Sequence, residues 1–151
     1  IMLHPTPLPK YRGGSPIQNQ IINGETIGAV SLFRMTEGLD KGDIYQQLTL
    51  SLTGTLNEIF RRISDLGFAA TCNIIEENYT LTPQDDSKST YYKRRSPEDS
   101  EITQHELQNS SAEYLNNKIR MLNDPYPNAY IKTADGKKLF IIESKLNSNE
   151  K

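Results

Sequence analysis

The sequence predicts an α/β fold: a small sheet with one long amphipathic helix packed across it, then a short helix and hairpin. Three observations lead there. Residues 28–35 and 43–51 read as strands joined by a charged, glycine-rich turn. Residues 55–77 repeat apolar side chains at intervals of three and four, the period of a helix with one buried face. Residues 83–109 are polar and nearly free of aliphatic side chains, which sets the first unit, 1–82, apart from a second at 110–146.

The elements follow in order. Ile1-Met2-Leu3 is apolar with no turn before it, as the tail of a buried strand would be, and the chain opens without methionine, so a preceding segment is expected. His4 to Gly14 carries three prolines and two glycines and reads as a stiff loop. Ser15 is placed to cap a short helix, with Pro16 at its first position, Ile17, Ile21 and Ile22 on one face, and Gly24 at its end. In the 43–51 strand Ile44, Leu48 and Leu50 share one side and Gln47, Thr49 and Ser51 the other. Thr55 and Glu58 have capping-box spacing, and Leu56, Ile59, Phe60, Ile63, Leu66, Ala70 and Ile74 form the apolar face of the long helix. The 83–109 stretch is expected to be an arm that is partly mobile or ordered on contact. Ser110 and Glu113 form a second capping box, opening a helix through Leu115, Ile119 and Leu122 that stops before Pro125. Tyr130–Thr133 and Leu139–Glu143 flank Asp135-Gly136 as a hairpin, and 147–151 is expected to be disordered on composition.

At 151 residues the chain has the length of about one domain. Lys plus Arg total 17 against 19 Asp plus Glu, a formal charge of −2, which argues against a chain whose main work is coating nucleic acid. One cysteine, Cys72, excludes an internal disulfide framework and a multi-Cys zinc site, and no metal site is expected. No apolar run has the roughly 18 residues of a membrane span, and with the single thiol this points to a cytoplasmic location.

Among residues that carry chemistry, His105 lies in the polar arm and reads as a solvated histidine. His4 stands at the end of a strand and the start of a proline-locked loop, where α/β sheets place ligands. The segment from His4-Pro5-Thr6-Pro7-Leu8-Pro9 through Lys10-Tyr11-Arg12-Gly13, followed by Leu39-Asp40-Lys41-Gly42-Asp43, resembles the 10-formyltetrahydrofolate-dependent formyltransferases. That family includes methionyl-tRNA formyltransferases, glycinamide ribonucleotide transformylases and nucleotide-sugar N-formyltransferases. The resemblance covers roughly 3–80 and continues at Tyr91–Ser100 and Asp124–Tyr130.

The resemblance implies that this is the second half of a Rossmann-like formyltransferase domain. It implies 10-formyltetrahydrofolate as co-substrate, His4 as acid/base and Asp40 as its partner. Leu8, Pro9, Met35, Glu37 and Leu39 fall at positions expected to meet the folate, and Lys10, Tyr11 and Arg12 at positions expected to meet the acceptor. Asp43 reads as a turn residue. The family asparagine that helps polarise the formyl oxygen falls at position 2, where this chain has Met2, and a thioether cannot donate to a carbonyl oxygen. Lys93-Arg94-Arg95 reads as a solvated run or a phosphate clamp, and Tyr91, Tyr92 and Tyr126 as packing or base-stacking groups.

Two features favour a nucleotide-linked amino sugar over tRNA as acceptor: too few residues follow the arm to build the C-terminal barrel of the tRNA enzymes, and the charge is not basic. From a different class, Met2 also suits a non-catalytic relative that binds folate or a protein. Apolar edges left uncovered would favour a homo-oligomer.

Overall fold

The structure, a computed structural model, describes residues 1–76 and 79–147. Its strands are β1 (Met2–His4), β2 (Arg12–Gly13), β3 (Ile27–Phe33), β4 (Ile44–Ser51), β5 (Tyr91–Tyr92), β6 (Tyr130–Lys132) and β7 (Lys138–Phe140). Its helices are α1 (Pro16–Ile22), α2 (Leu56–Glu76), α3 (Gln104–Asn109) and α4 (Ala112–Met121). The main sheet is antiparallel, in the order β1-β3-β4, and α2 packs across β3 and β4.

The core lies between that sheet and α2. Val30, Leu32, Leu50 and Leu52 meet Leu56, Ile59, Ile63 and Ala70, with Ile17 and Ile21 of α1 closing one end. Phe60, Leu66 and Ile74 pack against this cluster, so the whole predicted apolar face of the helix is turned inward. The predicted capping box is present: Glu58 N donates to Thr55 Oγ1 at 3.3 Å and Thr55 N to Glu58 Oε2 at 2.8 Å. Position 77, the last of the predicted helix, lies outside the described residues, as does 148–151 of the predicted tail.

Several expectations change. β1 is not buried: Met2 and Leu3 are 38% and 41% exposed, because β1 lies at the edge of the sheet and pairs with β3 alone among the described strands. β3 ends at Phe33, two residues early. Pairing becomes irregular after Leu32, and Arg34 N donates to Asp43 O at 2.9 Å, closing the turn there. Ser15 does not cap α1. Its φ of 49° is left-handed, where a cap needs extended backbone, and its hydroxyl instead accepts from Arg95 N at 3.0 Å.

The polar stretch 83–109 is a strap laid over the first unit. β5 runs parallel to β2, Thr82 and Ile44 exchange two backbone hydrogen bonds, and Thr103 with Glu106 caps α3. Ser110 is occupied closing α3, its N–H donating to Glu106 O at 2.8 Å, so Ser111 caps α4 instead. A second small core gathers Ile102, Ile119, Leu122 and Ala129. The hairpin is shorter than expected because Thr133 N bonds Lys137 O and joins the turn. Met121 in the main core, Tyr126 against Phe60, and Arg120 on the carbonyls of Leu52 and Gly54 fasten this second unit to the first. Among the described residues no helix is long and apolar enough to cross a membrane.

Candidate active site

The loop after β1 is stiff but poor in donors, since Pro5, Pro7 and Pro9 bring no N–H. Its carbonyls are therefore met by side chains reaching from the sheet and α1. Ser31 Oγ donates to Thr6 O at 2.5 Å, Gln47 Nε2 to Leu8 O at 2.8 Å and Gln20 Nε2 to Pro5 O at 2.9 Å. Thr6 Oγ1 closes the loop on Lys10 O at 2.9 Å. The loop thus carries His4 at one end and Tyr11 at the other at fixed separation.

His4 is buried, and its Nε2 lies 2.9 Å from Tyr11 O. A carbonyl only accepts, so Nε2 carries the hydrogen and Nδ1 is the nitrogen left for exchange. Asp40 Oδ2 stands 3.8 Å from the same Nε2 and accepts from Gly13 N at 2.8 Å. The two predicted partners, 36 positions apart in sequence, meet with side chains 9% and 7% exposed, a setting in which charge and hydrogen bonds act more strongly than in water.

The turn that delivers Asp40 has little freedom. Asp40 has φ 52°, a left-handed conformation that aspartate tolerates better than most residues. Two residues on, a Cβ at Gly42 would fall 1.7 Å from Arg34 O, so only glycine fits. Asp43 contributes its carbonyl to the turn, as expected of a turn residue.

The remaining predicted residues separate. Glu37 and Leu39 line a recess of about 220 Å³ beside Asp40, together with Met2 and Phe33; Met35, Leu8 and Pro9 do not line it. Met35 is exposed and Leu8 is buried within the loop. Lys10 is exposed. Tyr11 and Arg12, expected to face the acceptor, face the strap instead. Tyr11 stacks on Tyr92 with centroids 5.0 Å apart and donates to Glu25 Oε1 at 2.9 Å. Burial pushes its hydroxyl up to about 12, with Glu25 adding to the rise and a hydrogen bond from Asn23 opposing it. Arg12 is fully buried. Its guanidinium donates to Gln84 Oε1, Asp86 Oδ1 and Tyr91 OH at 2.7 Å each. Tyr92 and Tyr126 likewise serve in packing, and Arg95 donates to Asp99 O. His105 is exposed. A larger groove, about 910 Å³, lies at the junction with α4 and contains neither His4 nor Asp40.

Gln84, Asp86, Gln47 and Ser31 are the residues that sequence reasoning missed. They lie in polar or alternating stretches where no spacing marks them, and only their contacts reveal a role.

Comparison with known proteins bears on this arrangement. Residues 1–75 match the model of the formyl transferase family. This chain is a member of that family. A methionyl-tRNA formyltransferase of Lachnospira eligens is 39% identical over 99% of the chain, which covers 47% of that relative. The methionyl-tRNA formyltransferase structure from Clostridium thermocellum superposes with a TM-score of 0.79 at 33% identity, covering 92% of this chain and 65% of that one. An N-formyltransferase from Helicobacter canadensis, solved with folinic acid and dTDP-3-aminofucose, shares the fold at 23% identity and a TM-score of 0.67, covering 79% of this chain and 45% of that one. The chain spans about half the length of the curated formyltransferases it matches. The α/β, Rossmann-like expectation agrees with these neighbours. The His4 loop and the Asp40 turn, the two segments that carry the resemblance in the sequence, lie side by side within the matched residues.

Proposed function

We propose that the complete protein transfers a formyl group from 10-formyltetrahydrofolate to the amine of methionyl-tRNA, with His4 moving the proton and Asp40 holding His4. The observation that carries this reading is the buried approach of His4 Nε2 to Asp40 Oδ2 at 3.8 Å, with Tyr11 O at 2.9 Å on the same nitrogen. Both acceptors orient the ring and leave Nδ1 to take the proton from the attacking amine. As the amine nitrogen bonds to the formyl carbon, the carbonyl oxygen gains charge. Collapse of that intermediate breaks the carbon–N10 bond, and the proton held by His4 passes to N10. The recess lined by Phe33, Glu37 and Leu39 is smaller than the roughly 300 Å³ of a complete small-ligand site and serves as one wall of the folate pocket.

The choice of tRNA departs from the amino-sugar expectation. That expectation leaned on the shortness of the region after the strap and on a formal charge of −2; for a chain spanning 47% of its relative the first argument lapses, and the second counts only the part of the charge that these residues carry. The 39% identity extends over 99% of the chain, strap and second unit included, and supports the tRNA acceptor. The shared fold of the Helicobacter canadensis enzyme keeps the sugar reading as the alternative.

The test is an assay of the complete protein with 10-formyltetrahydrofolate and, in parallel, charged initiator tRNA and amino-sugar nucleotides. Formylated methionyl-tRNA is expected. Transfer to an amino sugar alone overturns the acceptor, and transfer to neither, with folate binding retained, assigns the protein to the non-catalytic class.

A further inference from the structure

Among the described residues no hydrogen bond or ion pair joins the strap that covers β2 to His4 or to the carboxylate of Asp40, yet one of its side chains links the turn that carries that carboxylate to Arg12, the neighbour of the residue that donates to it. Gln84 Nε2 donates to Asp40 O at 2.9 Å and to Gly42 O at 2.7 Å. Gln84 Oε1 accepts from Arg12 Nε at 3.2 Å and Nη2 at 2.7 Å. All four hydrogen-bonding positions of the amide are thereby used. Arg12 adjoins Gly13, whose N–H holds Asp40 Oδ2 at 2.8 Å, so one side chain grips the backbone of the Asp40 turn on the acceptor side and, on the donor side, the guanidinium of the residue next to the donor.

The grip lies where the turn would otherwise relax. Asp40 is left-handed at φ 52°, and its peptide carbonyl and that of Gly42 flank Lys41. Holding both carbonyls fixes the rotation of the Asp40 backbone and hence the direction of its side chain. The anchor is itself rigid: Arg12 also bonds Asp86 and Tyr91, and Asp86 lies 3.7 Å from Lys41 Nζ of the same turn. The strap enters under constraint, since Thr82 and Ile44 exchange backbone hydrogen bonds of 2.8 and 2.9 Å just before it.

We propose that Gln84 is a positioning residue for formyl transfer, holding the Asp40 turn so that the carboxylate meets His4; this rests on the function proposed above. The strap therefore positions the site, acting on the Asp40 turn through its backbone carbonyls.

The test uses the complete protein and Gln84→Glu, which keeps an acceptor for Arg12 but turns a carboxylate toward two carbonyls. kcat is expected to fall about tenfold or more while KM for both substrates moves by less than about twofold, the pattern of lost transition-state alignment. In an Asp40→Asn background Gln84→Glu is expected to have no further effect, because the group it positions is already gone. The Gly13 amide, which donates to Asp40, is expected to exchange hydrogen about tenfold faster, while the Ile63 amide in α2 is unchanged. Gln84→Leu, without the added charge, serves in the same way should Gln84→Glu not fold. An equal loss of kcat in the Asp40→Asn background, an unchanged Gly13 exchange rate, or acceleration shared by Ile63 overturns the proposal. If the wild-type protein transfers no formyl group, the proposed function fails, and the Gly13 exchange rate still decides whether Gln84 holds the turn.

Discussion

Installing an amide at position 2 should accelerate the complete protein. β1 alternates, so positions 2 and 4 project to the same side of the sheet, about 7 Å apart along the strand at roughly 3.4 Å per residue. Met2 lines the recess that Asp40 and Leu39 border, and at 38% exposure it has room for a shorter side chain without strain. Met2→Asn therefore places two N–H donors where the family has its asparagine, beside His4. One donor aimed at a developing oxyanion is worth about 2.7–4 kcal/mol, or roughly 100–1,000-fold in rate. That range is the ceiling here, and a rise of at least about tenfold in kcat is expected, since the surrounding groups have not been shaped around the new amide. KM for the folate should change little, because the charge to be stabilised exists only in the transition state. The assay is steady-state formyl transfer by wild type, Met2→Asn and Met2→Leu, with circular dichroism of each. Met2→Leu, which adds no donor, should match wild type. A folded Met2→Asn protein with unchanged or lower kcat would refute the reasoning and remove position 2 from the neighbourhood of the oxyanion.

Three further outcomes are expected. His4→Ala and Asp40→Ala in the complete protein should each reduce kcat strongly, and together by less than the product of the single effects, because the carboxylate acts through the imidazole; full multiplicativity in the double variant would show that they work independently. Ile63→Asp puts an unpaired carboxylate on the buried face of α2, at several kcal/mol, a large part of a typical stability of about 5–15 kcal/mol, so the domain should unfold or aggregate; a wild-type-like thermal melt would place the buried face elsewhere. The Arg12 hydrogen bond holds the Asp86 carboxyl below its usual range against the opposing effect of burial, with the nearby Lys41 adding to the fall, so its contribution is full above the unfolded value of about 3.9 and is lost as pH falls through the lower folded value. Urea midpoints of wild type should therefore exceed those of Asp86→Asn at pH 6 and converge with them in strong acid, and a gap that widens on acidification would reverse the assignment.

The long helix was legible in the sequence because its information is local. A capping box and seven apolar side chains at helical spacing specify both its start and its buried face, whichever partner covers it. The strands and the turn between them were legible to within two residues for the same reason, and the pairing of His4 with Asp40 was legible only through the resemblance of two motifs. Where the local signal was ambiguous, neighbours decided. Ser15 has the identity of a cap, but a left-handed backbone and the amide of Arg95, 80 positions away, recruit its hydroxyl elsewhere. Ser110 was one residue from the true cap because an unforeseen helix ended on it, although Thr103 and Glu106 carried the same spacing that marked the long helix.

By itself the sequence determined the amphipathic helix, the two-strand unit and the identity of the His4 and Asp40 segments, since each is written in adjacent or periodically spaced residues. Only the tertiary structure decided what the polar strap does. A buried guanidinium needs hydrogen-bond acceptors wherever the chain supplies them. Gln84, Asp86 and Tyr91 supply them to Arg12 from 72, 74 and 79 positions away, in a stretch whose composition reads as solvent-facing. Tyr11 and Arg12 belong to the strap contact rather than to an open site for the same reason: side chains that look free in sequence are committed once a second segment lies over them.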